Sequence, residues 1–200
     1  EGVDEVVRVG EPLPPYDHWC QMLDVPQHLG TTLDTVPARL PYLRAGKTST
    51  PKLPPSGLCV GLVWKGAAGH AEDATRSLPS LATLAPLWSV PGVTFVSLQK
   101  DREDGELAQF AATQPAIDLA PQLKDFADTA AVLARLDLLI SVDTAPVHVA
   151  GALGRPCWVL LKDPAPDWRW MLEREDSPWY PGALRLFRQR EPGNWNGAVA

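Results

Sequence analysis

The stretch LLISVDTAPVHVAGALGRP, residues 138–156, decides the fold. Residues 138–142 are typical of a buried strand, and a helix is predicted directly after them. Asp143 or Thr144 can act as its N-cap, Pro146 suits the first turn, and Gly154 can end it in a left-handed conformation. The stretch therefore predicts a strand followed by a helix whose N-terminus, with its free N–H groups and positive dipole end, lies at the strand tip.

The same alternation of strand and helix extends on both sides of this stretch. Residues 58–64 form a continuous apolar run, as in a strand buried on both faces. Further strands are predicted at 93–99 and 157–161, with short ones at 117–119 and 184–187. Helices are predicted at 81–88, 106–112, 125–135 and 146–153, with Pro86 expected to shorten or kink the first. This order predicts an α/β fold with a doubly wound, Rossmann-like parallel sheet and right-handed crossovers.

Residues 1–56 have a different character. Residues 3–9 are compatible with one strand, but a proline-rich aromatic stretch follows, and the sequence stays irregular as far as residue 57. Proline removes a backbone donor and disfavours helical geometry in the residue before it. We expect 1–56 to be the remnant of a preceding domain plus a linker, and 57–200 to be the α/β domain. The chain also begins without methionine, which suggests a piece of a longer protein.

Composition excludes several classes of protein. The net charge is −6 and the basic residues are scattered, which argues against a nucleic-acid partner. No apolar run approaches the roughly 20 residues of a transmembrane helix, and the first residues lack a secretory signal, so we expect a cytoplasmic location. Cys20, Cys59 and Cys157 are an odd number at unrelated spacings, which favours core positions over a redox or metal role.

In a doubly wound sheet the ligand binds at the carboxyl ends of the strands, near the point where strand order reverses. After the first strand come Lys65, Gly66 and His70, a small-residue loop in which glycine lets the backbone approach an anion and lysine adds charge. A flexible surface loop is the alternative. Gln99 and Lys100 close the second strand on the same rim, placed to reach a ribose or a phosphate.

The helix that begins after Asp143, Thr144 and Ala145 predicts a diphosphate site without a phosphate-binding lysine. His148, about one turn in, is placed to donate to a phosphate oxygen; a structural role is the alternative. A second helix start has Asp125 as predicted N-cap, followed by Phe126.

Phe126 is expected under the sheet or beside a base. The aromatic residues at 166–170 form either a structural cluster or a sugar-stacking surface. A D-x-D motif for a metal and the G-x-G-x-x-G dinucleotide fingerprint are both missing from the sequence. We therefore expect no metal and no cofactor, and dinucleotide-dependent epimerases and dehydrogenases are disfavoured.

These motifs, in this order, resemble the C-terminal region of bacterial glycosyltransferases related to the heptosyltransferases, which often follows tetratricopeptide repeats. The resemblance rests on VGLVWKG at 60–66 with His70 and Arg76-Ser77, FVSLQK at 95–100, DFADTA at 125–130, SVDT at 141–144 with His148, and WRW at 168–170. It runs from about residue 3 to the end of the chain. It implies the C-terminal, nucleotide-sugar-binding half of a GT-B fold.

The resemblance also implies a function. The segment matching Asp143-Thr144-Ala145 meets the diphosphate and donor sugar, the loop matching Lys65-Gly66 meets the phosphates, and the segment matching 123–126 lies by the base. The expected activity of the intact protein is metal-independent transfer of a sugar from a nucleotide diphosphate to a hydroxyl of an acceptor glycan or protein, with the domain that precedes this chain as a further partner. The nucleotide, the sugar, the acceptor, the oligomeric state and the catalytic base are not identified by the sequence.

The chain departs from the family in two ways. Ala145 stands where heptosyltransferases usually carry glycine, so a side chain lies where the diphosphate approaches. The acceptor domain that supplies the family's catalytic base is missing, apart from what residues 1–45 retain, so this chain alone should bind better than it catalyses. The alternative function is a non-catalytic module that senses sugar nucleotides or binds other proteins.

Overall fold

The computed structural model describes residues 3–46, 52–54, 57–100, 105–111, 116–164 and 166–199. They fall into two compact units, Glu1–Val36 and Pro37–Ala200. The first unit holds a 3-10 helix at Met22–Asp24 and a single helical turn, α1, at Val25–His28. No side chain among its described residues is buried. The strand predicted at 3–9 is absent: these residues pair with no strand in the described part of the chain, and Val3, Val6 and Val9 are exposed.

The second unit contains a six-stranded sheet in which every neighbouring pair is parallel. Its strands are β1 (Leu58–Val63), β2 (Val93–Ser97), β3 (Ala116–Asp118), β4 (Leu138–Val142), β5 (Cys157–Leu161) and β6 (Leu184–Arg188). The spatial order is β3-β2-β1-β4-β5-β6, so the order reverses between β1 and β4. The predicted parallel sheet, and the predicted reversal near Lys65 and Asp143, are both confirmed.

The helices also follow the predicted order. They are α2 (Asp73–Arg76), α3 (Glu106–Ala111), α4 (Phe126–Leu133), α5 (Ala145–Ala152) and α6 (Asn196–Val199), with 3-10 helices at Leu81–Ser89, Ala120–Gln122 and Trp168–Trp170. Pro86 lies inside the Leu81–Ser89 3-10 helix, where an α-helix was expected. Residue 112, the predicted end of α3, lies outside the described residues. No helix in the described part of the chain has both the length and the apolar character to cross a bilayer.

Hydrophobic residues cover both faces of the sheet. On one face, Val63 and Val159 pack with α4 and α5 residues such as Val132 and Val147. On the other, Leu62 and Leu160 pack with the Leu81–Ser89 helix, α3 and α6. Cys59 and Cys157 are buried thiols in this core and Cys20 is exposed, all three free. Burial on both faces explains why the strands are nearly continuous apolar runs.

Near the start of the second unit, the chain is tied to the end of α5. The N–H groups of Tyr42 and Leu43 both donate to the carbonyl of Ala152, at 3.0 and 3.1 Å. The predicted domain boundary at 56/57 stays a prediction, since Pro55 and Ser56 lie outside the described residues.

Candidate functional site

The loop after β1 is held by a buried glutamine from the end of β2. The Oε1 atom of Gln99 accepts from the N–H groups of Trp64 and Lys65, at 2.9 and 2.8 Å, and its Nε2 donates to the Lys65 carbonyl at 3.0 Å. Its side chain is only 3% exposed. Gln99 was predicted to reach a ribose or a phosphate; its amide instead fixes the course of the Lys65 backbone, and a ligand contact stays a prediction.

A side chain at position 66 would collide with the guanidinium of Arg76, which lies against Gly66. A Cβ at this position would be 2.7 Å from Nη2 of Arg76 and 2.8 Å from a carboxylate oxygen of Asp73. The Gly66 N–H donates to the Ser77 hydroxyl at 2.8 Å, and that hydroxyl donates to the same Asp73 oxygen at 2.6 Å. The loop is therefore tied to α2, and Arg76 is brought to the edge of the sheet.

The ammonium of Lys65 faces the cavity and is backed by a carboxylate. It lies 3.7 Å from Oε2 of Glu106, the first residue of α3. Glu106 also accepts from the indole N–H of Trp64 at 3.1 Å and from the N–H of Leu81. Its side chain is mostly buried, so the carboxylate stands behind the wall of the site rather than in it.

The N-terminus of α5 lies at the end of β4, as predicted. Thr144 is the N-cap residue by position, but its side chain makes no capping bond. The Thr144 hydroxyl instead lies 3.0 Å from that of Ser141 and 3.2 Å from the Val142 carbonyl. Pro146 occupies the first turn, and Gly154 has a φ of 65° beyond the helix end. No described side chain caps α5, Pro146 has no N–H, and the Val147 N–H donates to the Thr144 carbonyl at 3.0 Å. Within the first three helical positions, the Ala145 N–H is therefore the donor left to water or a ligand.

A cavity of about 320 Å³ lies at the carboxyl ends of β1, β2 and β4, where strand order reverses. It contains seven of the predicted site residues: Lys65, Gly66, Gln99, Lys100, Phe126, Thr144 and Ala145. Its remaining lining residues are Val63, Ala67, Arg76, Leu98, Leu123, Thr129 and Pro146. Among all the residues that line the cavity, three have cationic side chains: Lys65, Arg76 and Lys100. None of the described residues that line it is acidic. The site is thus locally positive in a chain of net charge −6.

One end of this cavity is apolar and aromatic. Phe126 begins α4 and is 62% exposed, so it does not lie under the sheet. Its predicted position beside a base stays a prediction. Leu98 and Leu123 lie at the same end, and the Lys100 ammonium donates to the Leu123 carbonyl. Asp125 caps α4 as predicted, with its Oδ1 accepting from the N–H groups of residues 127 and 128 at 2.8 and 3.0 Å. It does not line the cavity.

A second cavity, of about 330 Å³, lies beside the first, and Arg76 lines both. The second contains two further predicted site residues, His70 and Asp143, together with Glu72, Leu161, Lys162, Pro166, Asp167 and Trp168. Its charges are mixed: Lys162 pairs with Glu72 at 2.5 Å, and Trp168 is half exposed. Such a lining suits a neutral polar ligand better than an anion.

His148 lines neither of these two cavities. Its Nδ1 lies 3.0 Å from the Tyr180 hydroxyl, and its ring stacks on Trp170 with centroids 5.3 Å apart. Burial lowers the pKa of this imidazole, and the nearby Asp143 carboxylate opposes that shift. The contacts described favour the structural alternative, and its predicted phosphate contact stays a prediction.

Three residues of the site were missed as ligand candidates. Arg76 lies in a motif noted in the sequence, but its approach to Gly66 depends on the turn of α2. Glu106 and Lys162 carried no signal, because their partners are 25–42 and 90 residues away in the chain. The residues of the aromatic stretch 168–170 have different surroundings. Trp170 is fully buried, whereas Trp168 lines the second cavity. The guanidinium carbon of Arg169 lies 4.8 Å from the Trp168 ring centroid.

Known proteins match this chain in sequence and in fold. Residues 82–163 match the model of glycosyltransferase family 9 (heptosyltransferase). Protein FlbA of Caulobacter vibrioides is 33% identical over 192 residues, which are 90% of this chain and 31% of FlbA. The E. coli ADP-heptose lps heptosyltransferase II superposes with a TM-score of 0.53 and 18% identity, over 70% of this chain and 41% of that one. The E. coli heptosyltransferase WaaC with ADP gives 0.48 and 20%, over 74% and 42%.

The predicted likeness to the heptosyltransferases is confirmed in part: residues 82–163 are similar to glycosyltransferase family 9, and the α/β fold is shared with heptosyltransferase II. The C-terminal placement in a longer protein stays a prediction. This chain spans about a third of the length of FlbA and about two fifths of each heptosyltransferase, from the shares of 31%, 41% and 42%. The fusion to tetratricopeptide repeats and the cytoplasmic location stay predictions.

Proposed function

We propose that this domain binds a nucleotide diphosphate sugar, and that the intact protein transfers the sugar to a hydroxyl of a glycan or protein acceptor. The observation that carries the proposal is the cavity at the reversal of strand order, which presents Lys65, Arg76 and Lys100 and no described acidic side chain. A small anion is the ligand that such a lining favours. The family 9 match supports a sugar nucleotide as that anion.

The diphosphate is assigned to the side of the cavity formed by β1 and β4. The start of α5 supplies the Ala145 N–H and a positive dipole end there, and Ala145 and Pro146 line the wall. Lys65 and Arg76 add two cations from the loop after β1 and from α2. These groups are fixed before the ligand arrives, and preorganised charge of this kind is usually the largest single contribution to catalysis.

The sugar is assigned to the second cavity. Arg76 lines both spaces, so a diphosphate beside it can connect a nucleoside in the first cavity to a sugar in the second. Asp143 and Asp167 offer acceptors for sugar hydroxyls, and Trp168 presents a half-exposed ring for stacking. The mixed charges of this cavity suit a polyhydroxyl ligand.

The proposed transfer needs no metal ion. Negative charge that develops on the leaving diphosphate is stabilised by the Ala145 N–H at the start of α5 and by Lys65 and Arg76. The catalytic base that deprotonates the acceptor hydroxyl is assigned to the acceptor domain of the intact protein. This domain alone is accordingly a binding unit with little or no turnover.

A titration of the chain with nucleoside diphosphates tests the proposal directly. Binding should raise the melting temperature, since a ligand at one hundred times its dissociation constant stabilises the folded state by about 2.7 kcal/mol. A nucleoside with no phosphate should give a much smaller shift because it leaves the cations unused. Equal shifts with both ligands, or none with either, would refute the diphosphate site.

A further inference from the structure

An arginine at the end of the edge strand β6 holds the loop that follows the wall of the second cavity. Arg188 pairs with Leu161 in the sheet, and Leu161 lines that cavity. Nη2 of Arg188 donates to the carbonyl of Trp170 at 2.6 Å. Nη2 and Nε both donate to the carbonyl of Arg174, at 3.1 and 3.2 Å. One half-buried guanidinium therefore joins two points of the loop after the Trp168–Trp170 helix.

The turn between these two carbonyls has an unfavourable backbone conformation. Met171 has a φ of 55° and a ψ of −167°, which residues other than glycine rarely adopt. Among the described residues, Met171 alone of the non-glycine residues has a positive φ. Such a conformation persists where surrounding contacts fix it, and it is commonest at functional sites. Here Arg188 supplies those contacts, because its donors hold the carbonyls of residues 170 and 174 on either side of Met171.

The residues just before this turn form part of the wall of the second cavity. Asp167 and Trp168 line it, whereas Trp170 is fully buried. The Trp170 N–H donates to the Asp167 carbonyl at 3.0 Å, and the Asp167 carboxylate accepts from the Arg169 N–H at 3.0 Å. This short helical turn connects the carbonyl that Arg188 holds to the two side chains in the cavity. A shift of that carbonyl would therefore move Asp167 and Trp168 as well.

We propose that Arg188 is a positioning residue for the sugar: it fixes Trp168 and Asp167 in the second cavity without touching the ligand. The inference rests on the proposed assignment of the sugar to that cavity, and it adds a residue from outside the cavity. Arg188 lines neither the first nor the second cavity. Its described hydrogen-bond partners are backbone carbonyls. The rigid, planar fork of a guanidinium is suited to holding two such acceptors at once.

The test compares nucleotide sugars with their diphosphates by isothermal titration of the full chain. The probes are UDP-glucose against UDP, ADP-glucose against ADP, and GDP-mannose against GDP, and the pair that the wild type binds best is used for the variants. Arg188→Met should weaken binding of the nucleotide sugar about tenfold, the equivalent of about one lost hydrogen bond. Affinity for the diphosphate should be unchanged, because Arg188 does not line the first cavity. Partial unfolding would instead lower both affinities equally.

Arg185→Met is the matched control. Arg185 lies on the same strand and reaches the same loop at Glu175, 3.8 Å away, but it is exposed and lines neither of the two cavities. The substitution removes the same charge and should leave both affinities intact. Arg188→Lys keeps the charge without the planar fork, so it should weaken sugar binding in the same direction. It takes the place of Arg188→Met if that variant does not fold.

Two further measurements show whether Arg188 acts through the loop. In hydrogen exchange of the ligand-free chain, the amides of residues 169–171 should exchange faster in Arg188→Met, and those of β4 should be unchanged. In a Trp168→Ala background, Arg188→Met should weaken sugar binding less than it does in the wild type. Two residues that act on the same contact give effects that do not add.

Four results would overturn the inference: unchanged exchange at 169–171, unchanged affinity for the nucleotide sugar, an equal loss for the sugar and its diphosphate, or fully additive losses with Trp168→Ala. Binding of a diphosphate without binding of any nucleotide sugar would also overturn it. Failure of every diphosphate to bind would instead refute the donor site itself.

Discussion

Replacing Arg76 with methionine should weaken diphosphate binding without weakening the fold. Methionine keeps an unbranched stem that can lie against Gly66, but it removes the guanidinium from both cavities. A hydrogen bond to a charged group contributes about 1.5–3 kcal/mol. We therefore expect the dissociation constant for a nucleoside diphosphate to rise about 10- to 100-fold.

The stability of this variant provides the second half of the test. Nε of Arg76 is buried without a hydrogen-bond partner in the described structure, and an unsatisfied buried donor is unfavourable. Removing it should leave the midpoint of urea unfolding unchanged or slightly raised. Arg39→Met is the control, since Arg39 is exposed and does not line the cavity. Unchanged diphosphate affinity in Arg76→Met, measured by calorimetry, would show that the arginine is structural and that the diphosphate lies elsewhere.

Three further substitutions test the parts that hold the site. Gln99→Leu removes two hydrogen bonds to backbone N–H groups and one to a carbonyl. Each group left unsatisfied costs about 1–3 kcal/mol. Urea unfolding should therefore show a large loss of stability, and diphosphate binding should fall with it. Gly151→Ala places a Cβ 2.4 Å from the Tyr180 ring and should lower the free energy of unfolding by about 1–3 kcal/mol. Calorimetry should show this as a lower melting temperature. An unchanged melting temperature would mean that the ring can move aside. Burial lowers the pKa of His148 below 6.5, so the unfolded state takes up the proton first and stability should decline as pH falls below about 6.5. His148→Gln should show a shallower decline between pH 8 and 5.5, and identical slopes would contradict a buried neutral imidazole.

The sheet was predictable because parallel strands buried on both faces leave a strong signal. All six strands were anticipated, with ends that differ by at most two residues from those observed. The residues that commonly begin and end helices then predicted the position of α5. The rule that ligands bind where strand order reverses predicted a candidate site between the loops after β1 and β4. The one failed strand, at 3–9, shows the limit of the method. Valines at positions 3, 6 and 9 resemble strand residues, but no strand among the described residues pairs with their backbone.

The detailed contacts of the site could not be predicted, because they join residues that are distant in sequence. Gln99 was noticed for its position at a strand end, yet its amide bonds the backbone 34 and 35 residues earlier. Lys100 was expected near a ribose or phosphate, yet its ammonium meets the Leu123 carbonyl. In both cases the sequence placed the residue on the correct rim. The partner depended on how loops from different strands pack together, which a single sequence does not specify.

The charge of the chain also shows how far composition constrains a binding site. A net charge of −6 argues against binding of an extended polyanion such as DNA, which needs a basic face over many phosphates. It does not exclude a diphosphate, because the field at a small site is set by the few groups that line it. Here Glu106 pairs with Lys65 from behind the wall, so the carboxylate orients the ammonium without facing the cavity. An acidic protein can hold a small anion when its carboxylates stand behind its cations, and that arrangement is visible only after folding.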